Sequence, residues 1–380
     1  MQVEYEVLDL TSNYVLAKSV HEGIFDDKKD SFFTSWAWID SWVSTFNQLV
    51  NENKKYKLKL VLIKKNKKII AMLFCGIKDD YPFIPFFSKK AFLGATGIKK
   101  IDDIFIEKNN ILFIDSEKLW TIDFKKLLSS LNVQQLSIPG IDSDAWSRVI
   151  DQLNINNDCV VINEMPTYIV DLVRVRNNSC DFVSILSSNK RRQINRTIKY
   201  YGGVESLSID SPSSLDEALI FFDELVQLHD IKWRKKQKKS SFSTEAVVLF
   251  HRQLIFESWG EGKICLYRVS KKDSVIGCLY GFISNNSFLF YQSAFSYVAD
   301  NKIKTGLICH SLLINNLAQG GLGEYDFLAG ASQYKKSLST GSYSMSWVDV
   351  YKYQWQCSLV KYLFNLKRRF NYFINILKRP

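Results

Sequence analysis

The chain has 380 residues, room for two cores of ordinary size, and its 46% hydrophobic and 23% charged composition excludes a disordered polymer. With 50 basic against 39 acidic residues the formal net charge is +11, which favours acidic partners (nucleotides, anionic lipid, nucleic acid) without choosing among them. The 4 histidines show no metal-ligand spacing, so no metal site is expected, and the 7 cysteines form no CxxC pair and read as small hydrophobes of a reducing compartment.

In chain order, MQVEYEVLDL lacks the basic start and apolar stretch of a signal peptide, and no window reaches the roughly twenty apolar residues of a membrane span. The expected location is cytoplasmic. FFTSWAWIDSWVSTFN (32–47) sets Trp36, Ile39, Trp42, Val43 and Phe46 at helical spacing, and KLKLVLIKKNKKIIAMLFCGI (57–77) reads as a β-hairpin. Helices are expected over 124–131 and 144–153 and strands over 135–138 and 160–172. The polar, weakly periodic RVRNNSC (174–180) reads as a boundary, followed by a basic helix (187–203) ended by glycines. An amphipathic helix is expected from Ser213 to His229, then KWRKKQKK (232–239) as a mobile basic loop. FSTEAVVLFHRQLIFESW (242–259) reads as a helix with Ser243, Thr244 and Glu245 at its start, the hydroxyls suited to capping. The hairpin KICLYRVSKKDSVIGCLYGFI (263–283), a strand over 287–295, the loop VADNKIKTG, a helix over 307–319, the strand EYDFL and a last strand over 344–355 complete the series.

The two hairpins have the same length and plan. Leu60 matches Leu266, Ile63 matches Val269, Ile70 matches Ile276, Ala71 matches Gly277 and Leu73 matches Leu279, and each hairpin follows a helix. Two similar lobes in one chain are therefore expected: 1–180, then 181–356 with a donor-binding loop, then a basic C-terminal helix over 357–380.

Strand, polar-glycine loop, helix and strand is the order of the acyl-CoA half of the GNAT acyltransferase fold, which the stretch 242–355 resembles. The ordered succession FTSWAWIDSW, LSSNKRRQINR, LVQLHDIKWRKK, IGCLYGF, FYQSAFSYVADNKIKTGLICHSLL and YDFLAGASQYKK carries a resemblance over nearly the whole chain. It resembles the double-lobed GNAT-like acyltransferases of bacterial cellulose and surface-polysaccharide biosynthesis, relatives of the Fem-type peptidoglycan aminoacyl ligases. The resemblance implies an α/β (α+β) fold of tandem GNAT-like lobes, mixed sheets flanked by helices. It further implies acetyl-CoA or another acyl-CoA as donor, no metal, and N-acylation of an amino sugar or a nucleotide- or lipid-linked sugar. One departure is plain: of the usual pyrophosphate loop only Gly306 remains, within KIKTGLI.

Several residues can carry that chemistry. The start of the helix expected over 307–319 would present free N–H groups to a diphosphate, with Thr305 in the preceding loop donating a hydroxyl, Gly306 admitting close approach and Lys302 and Lys304 adding charge. Leu307 belongs to the same loop. An ordinary strand-to-helix connection is the plainer reading of that stretch. Asp326 would orient or deprotonate an acceptor amine, and Tyr334 and Lys335 would donate to an oxyanion, leaving group or phosphate; the plainer reading pairs Asp326 with Lys335. His229 suits a neutral base or a helix-terminal charge, Trp233 a stacking platform or a core anchor, and His310 is expected to be packed. Lys190, Arg191, Arg192 and Arg196 form a basic helix face, a clamp on acceptor phosphates or a solvated surface, and Tyr291 completes the expected acceptor contacts. SLVKYLFNLKRRFNYFINILKRP (358–380) carries 6 basic residues and no acidic one, so it would lie on an anionic membrane, the inner membrane in a bacterium, or pack on the second lobe. Two rival functions stand beside acyl transfer: a Fem-like ligase using aminoacyl-tRNA, the one nucleic acid expected, and a non-catalytic membrane-peripheral scaffold.

Overall fold

The computed structural model describes residues 3–50, 55–79, 89–114, 118–153, 159–235, 237, 239–363 and 366. The first half runs β1 (Val3–Asp9), α1 (Tyr14–Ile24), α2 (Trp36–Leu49), β2 (Tyr56–Lys65), β3 (Lys68–Asp79), β4 (Lys89–Leu93), α3 (Lys99–Asp102) and β5 (Leu112–Phe113). It continues through α4 (Phe124–Ser130), β6 (Gln135–Asp142), α5 (Ser143–Leu153) and β7 (Val160–Asp171). Then α6 (Leu172–Asn177) and α7 (Ser188–Tyr201) lead to β8 (Leu207–Asp210), α8 (Leu215–Lys235), α9 (Glu245–Ser258), β9 (Ile264–Lys271) and β10 (Ser274–Ser284). The chain ends through β11 (Ser287–Phe295), α10 (Thr305–Gln319), β12 (Glu324–Ala329), α11 (Gln333–Leu338) and β13 (Gly341–Tyr351).

The two halves repeat one plan. The hairpin β2–β3 turns through Asn66 and Lys67, and its counterpart β9–β10 through Lys272 and Asp273, each with two residues between the last paired positions. The first strand of each half, β1 or β8, pairs antiparallel with β2 or β9. In the first half β4 and β6 pair in parallel over Lys90–Phe92 and Gln135–Ser137 and then part; in the second β11 and β12 pair over Ser287–Leu289 and Glu324–Asp326 and then part. Each half thus opens a V between two parallel strands. The strands of the described residues form one mixed sheet in the order β1-β2-β3-β4-β6-β13-β7-β12-β11-β10-β9-β8, with β5 on β3. The last strand, β13, enters between β6 and β7 and makes the two halves continuous.

The helices in equivalent places, α2 and α9, pack on each other, and a single apolar core runs beneath both. Trp38 of α2 sets its ring 4.7 Å from Phe250 of α9 and 5.9 Å from Phe282 of β10. At Gly281, just after the register shift in β10, an added Cβ would lie 2.3 Å from the Leu289 carbonyl oxygen. Gly281→Ala is expected to lower stability by about 1–3 kcal/mol, read as a fall in the urea midpoint.

Some boundaries differ from the sequence expectation. Helix α8 does not end at His229 but runs to Lys235, so the first basic residues of KWRKKQKK are helical rather than a loop, while 236 and 238 lie outside the described residues. RVRNNSC is partly the helix α6. Thr244 is the N-cap of α9 but makes no capping side-chain bond; the serine that caps is Ser240, which accepts from the Phe242 amide of the preceding turn. The last strand stops at Tyr351, and residues 354–363 are helical. Most of the expected helix 357–380 lies outside the described residues. Among the described residues no helix is long and apolar enough to cross a membrane.

Candidate active site

Strand β12 ends in a bend. Leu328 has φ 57, a left-handed conformation that a branched side chain rarely adopts, and the register with β7 shifts between Asp326 and Ala329. Asp326 holds that bend. Its side chain is fully buried, Oδ1 accepts from the Leu328 amide at 2.8 Å, and Oδ2 accepts from the Tyr343 hydroxyl of β13 at 2.8 Å. The same Oδ2 lies 2.6 Å from Lys108 Nζ. Lys335, from α11, donates instead to the carbonyls of Leu328 (3.3 Å) and Ala329 (2.8 Å). The carboxylate is therefore paired with Lys108, not with Lys335.

Glu107, beside Lys108, accepts the Ala329 amide hydrogen bond on Oε2 at 2.7 Å. Both belong to the first half, on a loop where Phe105 and Lys108 have positive φ and where the Ile104 carbonyl accepts from the Tyr291 hydroxyl of β11. Burial pushes the Glu107 carboxyl up to about 7, and Asp326 adds to that, while the Ala329 amide, Lys335 and Lys108 oppose it. Burial also lowers the Lys335 pKa, against the pull of Glu107 and Asp326. Burial, with Asp326 next, holds the Tyr343 phenol protonated.

The second face of the V belongs to α10. Lys304 is its N-cap, with the backbone amide given to Thr197 Oγ1 (3.0 Å), and the Thr305 hydroxyl pairs with Tyr201 (2.9 Å). The Thr305 and Gly306 amides make no hydrogen bond among the described residues, and Lys302 and Lys304 are exposed beside them. Gly306 is a glycine for a packing reason: an added Cβ would lie 2.9 Å from the Phe295 ring. From there aromatic contacts lead inward. Phe295 is 5.8 Å from His310, and His310 stacks on Tyr334 at 5.5 Å. Burial, reinforced by Lys335 and Lys232, lowers the His310 pKa to about 3, and burial raises the Tyr334 phenol to about 12. Leu307 is buried in the core beneath α10.

The remaining expected residues go elsewhere. Trp233 Nε1 donates to His229 Nε2 at 2.9 Å. An indole N–H only donates, so Nε2 must be the acceptor and Nδ1 carries the hydrogen toward Ser240 Oγ, 2.7 Å away. With its lone pair engaged and burial, then Lys232, lowering its pKa to about 4, His229 is a neutral clip on α8 rather than a free base. His229→Ala is expected to destabilise by about 1–3 kcal/mol while leaving the kcat of folded protein unchanged. Arg191 is tied to the Ser184 carbonyl (2.9 Å) and Lys190 to Gln193 (3.4 Å), so with exposed Arg192 they line the start of α7, outside the contacts that bind Asp326, Lys335 and Glu107. Tyr291 joins the aromatic core through His251 and Phe282 as well as reaching Ile104. The sequence reading does not single out Glu107, Lys108 or Tyr343; the local signal of the first two is only a charged pair between Ile106 and the turn-prone Asn109-Asn110, and Tyr343 is one more aromatic in a strand. Among the described residues no group of three or more His, Cys, Asp or Glu is placed to hold a metal ion.

Residues 188–336 match the family model described as an acetyltransferase (GNAT) domain. Over that stretch the chain is similar to a GNAT acetyltransferase domain. The stretch contains α10, Asp326, Tyr334 and Lys335 but not Glu107, Lys108 or Tyr343. Solved structures share the fold of nearly the whole chain. A conserved protein of unknown function from Bacteroides thetaiotaomicron has 10% identity over 92% of this chain and 100% of its own, with a TM-score of 0.54. FemX has 9% identity over 91% and 96%, and the C-terminal domain of a putative lysylphosphatidylglycerol synthetase from Agrobacterium fabrum 9% over 91% and 95%, each with a TM-score of 0.51. A search of curated proteins found no match.

Proposed function

We propose that the protein is an acyl-CoA-dependent N-acyltransferase, in the simplest case an acetyltransferase, acting on an amino sugar or related precursor of a bacterial surface polysaccharide. The observation that carries this reading is the start of α10. Two unpaired amides and two exposed lysines sit there, inside the matched GNAT domain, where a helix terminus suits a diphosphate. Phe295, His310 and Tyr334 then mark a route for the pantetheine arm toward the bent end of β12. Tyr334 would meet the departing sulfur, and Lys335 keeps the Leu328 and Ala329 carbonyls in place. Asp326 positions this bend; its carboxylate is already spent on Lys108, Tyr343 and Leu328.

Direct attack by the acceptor suits these residues. Burial raises the thiols of Cys265 and Cys278 to about 12 and that of Cys309 further still, so none is a ready thiolate nucleophile. A phosphate-bearing form of that acceptor, such as a nucleotide-linked sugar, is favoured by the +11 charge and by Arg192 and Arg196, exposed on α7. With that donor the reaction would run in the cytoplasm, and the basic sequence 358–380 would bring the enzyme to an anionic inner membrane. Purified protein with acetyl-CoA and a panel of free and nucleotide-linked amino sugars should yield an N-acetylated product by mass spectrometry. Absence of calorimetric CoA binding at millimolar ligand would overturn the proposal.

A further inference from the structure

The V of the first half is filled by the chain itself. Segment 104–110 lies between the parted strands, and one asparagine ties it to both. The Asn109 amide donates to the Gly140 carbonyl of β6 (2.9 Å), and its side-chain Nδ2 donates to the Leu93 carbonyl ending β4 (2.9 Å). The cavity left beside it, bounded by Phe33, Trp38, Phe74, Leu93 and Ile106, measures about 20 Å³. That is about the space of one water and far too little for a pantetheine arm. The turn after β4 is closed as well. The Thr96 and Gly97 amides donate to the Asp102 carboxylate, each at 2.7 Å, and the Thr96 hydroxyl adds a third bond at 2.8 Å. A carboxylate of the protein thus occupies the amides just before α3, whereas the Thr305 and Gly306 amides that open α10 make no hydrogen bond among the described residues.

The filling segment does not stop in the first half. Between Ile104, held by Tyr291, and Asn109 it projects Glu107 and Lys108 onto the end of β12. We propose that the first half is not a second donor site but the arm that supplies the general base, Glu107, to the reaction centre of the GNAT domain, with Asn109 as its positioning residue. This rests on the acyl-CoA reading above. Glu107 takes one proton from the acceptor ammonium, and the freed amine attacks the thioester carbonyl carbon. The C–N bond forms, the C–S bond breaks, and the second nitrogen proton passes to the departing thiolate to give the free thiol of CoA. Glu107 then returns its proton to water. The groups facing Glu107 are Lys335 of α11, Lys108 beside it, Asp326 and the Ala329 amide of β12, Tyr291 of β11 and Tyr343 of β13. Their balance, dominated by burial, raises the carboxyl pKa toward neutral pH, where a base is most effective.

Glu107→Gln in the full chain tests this, because the amide can still accept from Ala329. The expected kcat is about 10²- to 10⁴-fold lower. In the unsubstituted protein kcat should rise with pH through about 7 as Glu107 ionises, and this rise should vanish in the variant. Calorimetric titration with acetyl-CoA should give a single equivalent per chain for both proteins, at the same affinity. Asn109→Ala should lower kcat and displace the pH profile without changing the acetyl-CoA KM; should it fail to fold, the unsubstituted chain still reports stoichiometry. An unchanged kcat and pH profile in Glu107→Gln would overturn the base assignment, and a second equivalent of bound acetyl-CoA would overturn the filled first site. No binding at all would remove the acyl-CoA reading beneath both.

Discussion

Asp326→Ala should weaken the fold and nearly abolish turnover together. The carboxylate is 0% exposed and serves a cation, a phenol and a backbone amide at once. Removing one partner of such a buried pair costs about 3–5 kcal/mol, because the groups left behind lose their acceptor without regaining water. Lys108 is 28% exposed and can recover part of its hydration, which places the expected loss near the lower end, about 3 kcal/mol. The Leu328 amide has no such escape: Asp326 Oδ1 keeps that residue at φ 57, and with it the direction of the Ala329 amide and carbonyl. Those two groups bind Glu107 and Lys335, so relaxation of the bend displaces both. Asp326→Asn keeps the shape and can accept from Leu328, but offers Lys108 no countercharge, so its loss should be smaller. Urea unfolding and kcat, with acetyl-CoA affinity as control, separate these effects. A midpoint within error of the parent in Asp326→Ala would show that the bend holds without the carboxylate.

The duplicated plan was legible because strand burial has a period of two and leaves its mark on any sequence. The matched positions Leu60 and Leu266, Ile63 and Val269, Ile70 and Ile276 are all at most 4% exposed, on strands that pair the same way in each half. The strand 287–295 and the helices near 124–131 and 144–153 follow from the same local periodicity. The joining of the halves was not legible. Glu107 and Ala329 are separated by 222 positions, and nothing local to a glutamate in a short charged pair points to an amide that far away. Asp326 drew attention to the right strand but to Lys335 as its plainer partner, since Lys335 is near in sequence; the real partner, Lys108, comes from the other half. His229 was read as a helix end because the apolar stripe fades after Leu228, whereas the indole of Trp233, one turn on, carries the helix forward by bonding back to it. Tertiary contacts, not propensity, decided each of these.

Trp38→Ala should lower stability by about 3–5 kcal/mol. Its side chain is 1% exposed at the seam of α2 and α9, with rings at 4.7 Å (Phe33), 4.7 Å (Phe250), 5.9 Å (Phe282) and 6.2 Å (Tyr291). The cavity would open between the halves rather than within one. Tyr291 leans on that ring and hydrogen-bonds the Ile104 carbonyl, from which the loop bearing Glu107 departs. Loosening the seam should therefore lower kcat at temperatures where the variant is still folded. Trp146 provides the contrast. It is equally buried, with its ring 5.6 Å from Phe124, but lies in the separate core under α4 and α5. Trp146→Ala should cost comparable stability while leaving the kcat of folded protein near the parent value. Trp38→Phe, which keeps an aromatic ring at the seam, should recover most of both properties. If the two alanine variants lost kcat equally at matched folded fractions, the seam would not be what holds the Glu107 loop against β12.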